Sequence, residues 1–242
     1  ETVMERIMGG GIEITQAVLF RSMGKFIVIG AWAAWRGVWP SLRTSRVGMH
    51  VARGLISIAS WWAYYLTFLR LEFGLATLLT FASSLFVVLL AGPVMGERVR
   101  PVSWIATLVG FAGIGLASGV GLGPLRFEVL LGLLSAAFSA ALVFQTRSLT
   151  QTEDTVTIMT YIGFFVTAVS VPLAVATWRP IGFDVMAVLL AAGVAGAAGM
   201  VLMIEAYGVG ETGALAPIPY VRIGFALVLG YVFFGETPSW TM

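Results

Sequence analysis

Apolar residues run in long blocks along almost the whole chain, from about Glu13 to Phe234, and short polar turns separate the blocks. About 20 consecutive apolar residues cross the hydrocarbon core of a bilayer as a helix. Backbone groups in that core must be satisfied internally, which leaves helices and closed barrels. Barrel strands would read as ~10-residue segments of alternating polarity. The blocks here are continuous and longer, so they predict helical spans at about 13–35, 49–69, 74–95, 102–119, 127–146, 155–177, 183–207 and 212–234. The short connections suit antiparallel neighbours. Trp32, Trp35, Trp39, Trp104, Trp178 and Trp240 punctuate span ends, and such rings favour the headgroup level. The fold expected is all-α, a polytopic membrane helix bundle.

Composition sharpens this picture. Of 242 residues, 59% are hydrophobic and 11% are charged, against roughly 25% charged in a soluble domain. A net charge of +2 without a basic stripe gives no nucleic-acid partner. The absence of cysteine excludes disulfides, thiolate metal sites and catalytic thiols. Arg36, Arg43 and Arg46 crowd the 36–48 loop without an acid, and Arg98 and Arg100 outnumber Glu97 in the next turn on that side. Basic loops stay in the cytoplasm. The loops at 36–48, 96–101, 147–154 and 208–211 are therefore expected inside, and those at 70–73, 120–126 and 178–182 outside.

Residues 68–97 align on 207–236 without a gap. Glu72 falls on Glu211, Gly74 on Gly213, Thr80 on Pro219, Phe81 on Tyr220, Phe86 on Phe225 and Gly96-Glu97 on Gly235-Glu236. Each Gly-Glu pair is followed by a proline and Ser-Trp: Pro101 and Ser103-Trp104, then Pro238 and Ser239-Trp240. With the topology above, one pair lies inside and the other outside. Such inverted halves are a common plan for secondary transporters.

Several stretches carry a resemblance. Residues 17–31 include Phe20-Arg21, residues 51–71 open near Arg53-Gly54, residues 76–117 contain the first Gly-Glu corner, and residues 205–240 carry Ala216-Pro217-Ile218-Pro219-Tyr220. In this order and spacing the chain resembles the EamA-type branch of the drug/metabolite transporter superfamily, with YddG-like amino-acid exporters as the nearer resemblance. The resemblance implies ten helices in two inverted five-helix repeats, here 1–120 and 121–242. About eight helices would be complete, with the first and tenth outside this sequence.

Charged and polar residues inside spans are expensive and often functional. Arg222 sits mid-span; it either attracts a substrate carboxylate or pairs internally and orients helices. Glu205 either binds a substrate ammonium or relays a proton, or else serves only as a carboxylate at the cytoplasmic rim. Pro217 and Pro219 remove two backbone donors, and broken helices near the midplane commonly mark transporter sites. Tyr220 follows at once. Trp61, Trp62, Tyr64 and Tyr65 form an aromatic cluster, of which Trp61, Tyr64 and Tyr65 are expected to turn inward, with packing or lipid contact as the other reading. Thr80 and Phe81 should meet Pro219 and Tyr220 across the repeat axis. Phe144 and Gln145 are candidate rim residues. Arg21 and Lys25 default to a helix interface, and the glycines at 110, 113, 115, 193, 196 and 199 to close helix packing.

The expected function is a secondary transporter exporting amino acids, aromatic or other hydrophobic ones, across the inner membrane by alternating access. The alternative is a carrier of another small metabolite: a nucleoside, S-adenosylmethionine, a sugar or a drug. A membrane enzyme is poorly served, because His50 is the only histidine and Asp154 and Asp184 are in opposite loops. A channel would need a polar pore ring, and no polar stripe repeats. No catalytic residue, metal or cofactor is expected. The partners are a small molecule and the bilayer, with the chain acting as a monomer.

Overall fold

The computed structural model describes residues 14–37, 44–71, 73–117, 127–221, 224–225 and 228. Among these described residues seven long helices follow in order: α1 (Ile14–Arg36), α2 (Val47–Arg70), α3 (Phe73–Met95), α4 (Pro101–Ala117), α5 (Phe127–Leu149), α6 (Thr155–Ala176) and α7 (Phe183–Val209). Each meets one predicted span to within a few residues. The eighth predicted span begins as a helix of four residues, α8 (Thr212–Leu215), then tightens into a 3-10 turn at Ile218–Tyr220. Pro217 and Pro219 explain the change, since neither can donate to an α-helical ladder. Tyr220 instead donates its N–H to Pro217 O at 3.1 Å. Helical backbone is seen again at Val221, Gly224, Phe225 and Val228. Among the described helices, α1, α3, α5, α6 and α7 are long and apolar enough to cross a membrane.

The chain forms two compact units, each drawing on both halves of the sequence: 1–54 with 149–208, and 55–148 with 209–242. The first unit holds α1, α6, α7 and the start of α2. Ile29, Ile158, Met159 and Ile204 form its buried apolar centre. Here α1 and α7 touch backbone to backbone. A Cβ on Gly193 would lie 2.5 Å from Arg21 O, and one on Gly24 would lie 2.7 Å from the Gly193 carbonyl carbon. Close approach through small residues is how helices associate in lipid, where the hydrophobic effect gives no drive. At one end of this unit the Gln16 amide clasps Arg179, donating to its carbonyl at 2.7 Å and accepting its N–H at 3.3 Å. The opposite end gathers the start of α2, the 150–154 turn and the close of α7 through hydrogen bonds of Arg46 to Thr152 and Thr150 to Tyr207 O.

The second unit holds the rest of α2 with α3, α4, α5, α8 and the 3-10 turn. Val87, Val88, Ala91, Ala140, Phe144 and Ala216 form its buried apolar centre. Phe144, expected at a rim, therefore packs in the core, as an aromatic ring among valine and alanine side chains should. Helices α2 and α5 exchange hydrogen bonds: Ser60 Oγ donates to Ser135 O, and Ser135 Oγ donates to Ser60 O at 3.1 Å. Helix α3 stops because Gly96 turns to a φ of +71°, a conformation that glycine adopts without strain. The following Glu97 then reaches α8. Its carboxylate accepts from the Thr212 hydroxyl and the Gly213 N–H, each at 3.0 Å. Arg147 stands 3.7 Å away. An acid at exposed helix N–H groups satisfies donors that lack partners and complements the helix dipole.

Candidate functional site

In the second unit, the helix break carries the aromatic pair. Thr212–Leu215 and Ile218–Tyr220 bring Tyr220 against α3, where its ring stacks on buried Phe81 with centroids 5.5 Å apart and an interplanar angle of 21°. The Tyr220 hydroxyl donates to Phe81 O at 3.3 Å and shares a side-chain hydrogen bond with Ser84. The same ring lies over Gly110 of α4, where a Cβ would sit 2.7 Å from Tyr220 Cγ. Three elements thus hold one aromatic face beside a stretch of backbone with two missing donors. Pro217 is half-buried and Pro219 is exposed. Thr80 Oγ1 bonds back to Ala76 O within α3 at 3.0 Å. On α2, Trp61 meets Tyr64 edge-on at 5.8 Å, and Trp61 and Trp62 are equally exposed, at 57%. Tyr65 is on the same helix, but its side chain lies outside the described residues, as do Arg222 and the Gly235-Glu236 corner.

Glu205 belongs to the first unit. It lines an open cleft of about 280 Å³ with Trp32, Arg36, Glu153, Asp154 and Thr155. One carboxylate oxygen pairs with Arg36 Nη2 at 3.3 Å, and the other accepts the Thr155 hydroxyl. The Arg36 guanidinium lies 5.3 Å from the Trp32 ring centre and 5.8 Å from that of Trp35, within range of cation–π attraction. Asp154 caps α6 by accepting the Thr157 N–H at 2.8 Å.

Two features escaped the sequence. Glu153 is a buried carboxylate whose Oε2 lies 2.6 Å from His50 Nε2 and whose Oε1 accepts the Thr44 hydroxyl. The His50 ring stacks on Tyr161 at 4.1 Å. The partners are 103 residues apart in sequence, so no spacing rule links them. The signal available was the presence of the sole histidine at the start of a span. The second feature is the grip of Glu97 on α8, for which the repeated Gly-Glu pair was the trace. Among the described residues no group of three or more His, Cys, Asp and Glu side chains could hold a metal.

The sequence model of the EamA-like transporter family matches residues 1–119. Over 240 residues the chain is 27% identical to an S-adenosylmethionine uptake transporter of Rickettsia prowazekii, covering 98% of this chain and 80% of that protein. It is 26% identical to a riboflavin transporter of Vibrio cholerae, covering 94% and 77%. It is likewise 26% identical to the pseudopaline exporter CntI of Pseudomonas aeruginosa, covering 93% and 79%. A crystal structure of a protein 21% identical in sequence superposes with a TM-score of 0.78 over 99% of this chain and 85% of that one, a likeness of fold. The helices are those of an all-α polytopic membrane bundle, and the first 119 residues carry the pattern of the EamA-like transporter family.

Proposed function

We propose that the chain is a secondary carrier of a small metabolite bearing an amino-acid moiety, with S-adenosylmethionine the first candidate. Likeness to S-adenosylmethionine uptake transporters along 98% of the chain carries this reading. The helix break at Pro217 and Pro219 supports it, since carbonyls without a donor suit a substrate ammonium. In this reading the Phe81–Tyr220 pair offers a flat ring against which an aromatic group stacks. Arg222 takes the carboxylate, a geometry guanidinium favours. Trp61, Tyr64, Tyr65 and Thr80 complete the wall. The two repeats, 1–120 and 121–242, work as inverted halves of a monomer in the inner membrane, alternately opening to each side. Chemistry on the substrate is not part of its work.

Export of aromatic or other hydrophobic amino acids is the second reading, favoured by the two aromatic pairs, Phe81 with Tyr220 and Trp61 with Tyr64. A screen in proteoliposomes separates them. Vesicles receive labelled S-adenosylmethionine, riboflavin or phenylalanine, and saturable flux is compared with protein-free vesicles. Flux of S-adenosylmethionine that unlabelled compound inhibits supports the first reading, and phenylalanine flux alone supports the second. No saturable flux of any of the three overturns both.

A further inference from the structure

His50 has no side-chain exposure, and Glu153 has 6%. Their 2.6 Å contact is the polar tie of the imidazole, because Nδ1 is buried without a hydrogen-bond partner among the described residues. Buried polar atoms are nearly always paired, and an exception needs a reason. A histidine that served only to brace the fold would gain by satisfying both nitrogens. This ring instead has one nitrogen on a carboxylate and one face on Tyr161. Imidazole is also the side chain that ordinarily changes charge near neutral pH.

Glu153 connects this dry ring to water. The carboxylate lines the same open cleft as Arg36 and Glu205, so a proton reaches the imidazole through it. Among the described residues, the charges nearby are Arg46 just before the helix of His50, Arg53 on it, Asp154 in the turn, Arg36 of α1 and Glu205 of α7, with Tyr161 of α6 a further titratable group. With a neutral imidazole the couple carries one negative charge; with one more proton it is an ion pair of zero net charge. A buried charge is tolerated when paired and costly when alone. The two states therefore differ strongly in how well they suit a dry site, which is the property a coupling site needs.

We propose that the His50–Glu153 couple is the proton-binding site that links substrate movement to the proton gradient, a step that rests on the carrier reading above. One proton adds to the couple from water on one side and leaves as a proton to water on the other. No other bond is made or broken.

The test uses the full chain in proteoliposomes with S-adenosylmethionine as the probe. Two assays run side by side: exchange of labelled for unlabelled substrate at equal pH, and accumulation under an imposed pH gradient with a trapped pH dye. Wild type is expected to exchange, to accumulate several-fold and to move protons with substrate. H50Q and E153Q are expected to keep exchange within about twofold and to lose accumulation. Wild type that exchanges but moves no protons overturns the coupling and leaves the carrier standing. Variants that accumulate like wild type overturn the site. Absence of exchange in wild type sinks the S-adenosylmethionine reading and, with it, this step as proposed. If the variants fail to fold, the wild type decides, because His50 is the only histidine of the 242 residues. Nitrogen-15 imidazole signals should change when substrate is added; signals that substrate leaves unchanged overturn the proposal.

Discussion

Phe81 and Tyr220, 139 residues apart, fall on each other when residues 68–97 are laid on 207–236, and their rings stack 5.5 Å apart. The contact fastens the residue that follows the Pro217–Pro219 break to the middle of α3. Replacing Tyr220 separates ring from hydroxyl. Tyr220→Phe keeps the stack and loses two hydrogen bonds, so substrate flux should fall by no more than about threefold. Tyr220→Ala removes the ring and should lower flux by about tenfold or more while the protein stays folded. Initial rates in proteoliposomes, normalised to reconstituted protein, check both; equal rates for wild type and Tyr220→Ala would remove this pair from the substrate path.

Gly110→Val tests the same contact from α4. Its Cβ would fall 2.7 Å from Tyr220 Cγ, so the ring must leave its seat. Overpacking of this kind costs about 1–3 kcal/mol. Thermal unfolding in detergent should show that loss, and Gly113→Ala, with nothing within 4 Å, should not.

Glu97 holds the start of α8 through Thr212 and Gly213. Glu97→Ala leaves these donors unsatisfied and should cost about 1–2 kcal/mol. Glu97→Gln restores an acceptor and should recover part of it. An unfolding temperature unchanged in Glu97→Ala would show that water serves the helix end equally well.

Gly193 and Gly196 lie one turn apart on α7 with opposite surroundings. Gly193→Val places its Cβ 2.5 Å from Arg21 O and should prevent folded, monodisperse protein. Gly196→Ala meets nothing within 4 Å and should be neutral or stabilising by up to about 1 kcal/mol, the helix propensity gained over glycine. Size-exclusion profiles in detergent distinguish the two.

The Arg36–Glu205 pair is half exposed, 50% and 38%, and exposed pairs contribute about 0–1 kcal/mol. Glu205→Gln should leave stability nearly unchanged. A large loss in thermal unfolding would give this pair a structural weight that its exposure denies.

Spans were legible because continuous apolar runs admit one backbone solution in lipid, so α1 to α7 lie where the pattern put them. The break at Pro217 and Pro219 was legible for a local reason, the missing N–H groups. The meeting of Phe81 with Tyr220 followed from the repeat alignment. The seat of Phe144 was misread, because nearness to a polar turn says little about which neighbours a ring finds. The union of His50 with Glu153 and the grip of Glu97 on α8 depend on tertiary register, which no local pattern encodes. Arg222 and Gly235-Glu236 fall outside the described residues, and their roles stay with the proposal.

The most direct measurement is exchange of labelled S-adenosylmethionine in proteoliposomes containing the wild-type chain, repeated with Tyr220→Ala. Saturable exchange, competed by unlabelled substrate and reduced at least about tenfold in the variant, is the expected result. Wild-type vesicles that release label no faster than protein-free ones would contradict the proposed substrate, and full exchange in the variant would contradict the proposed site.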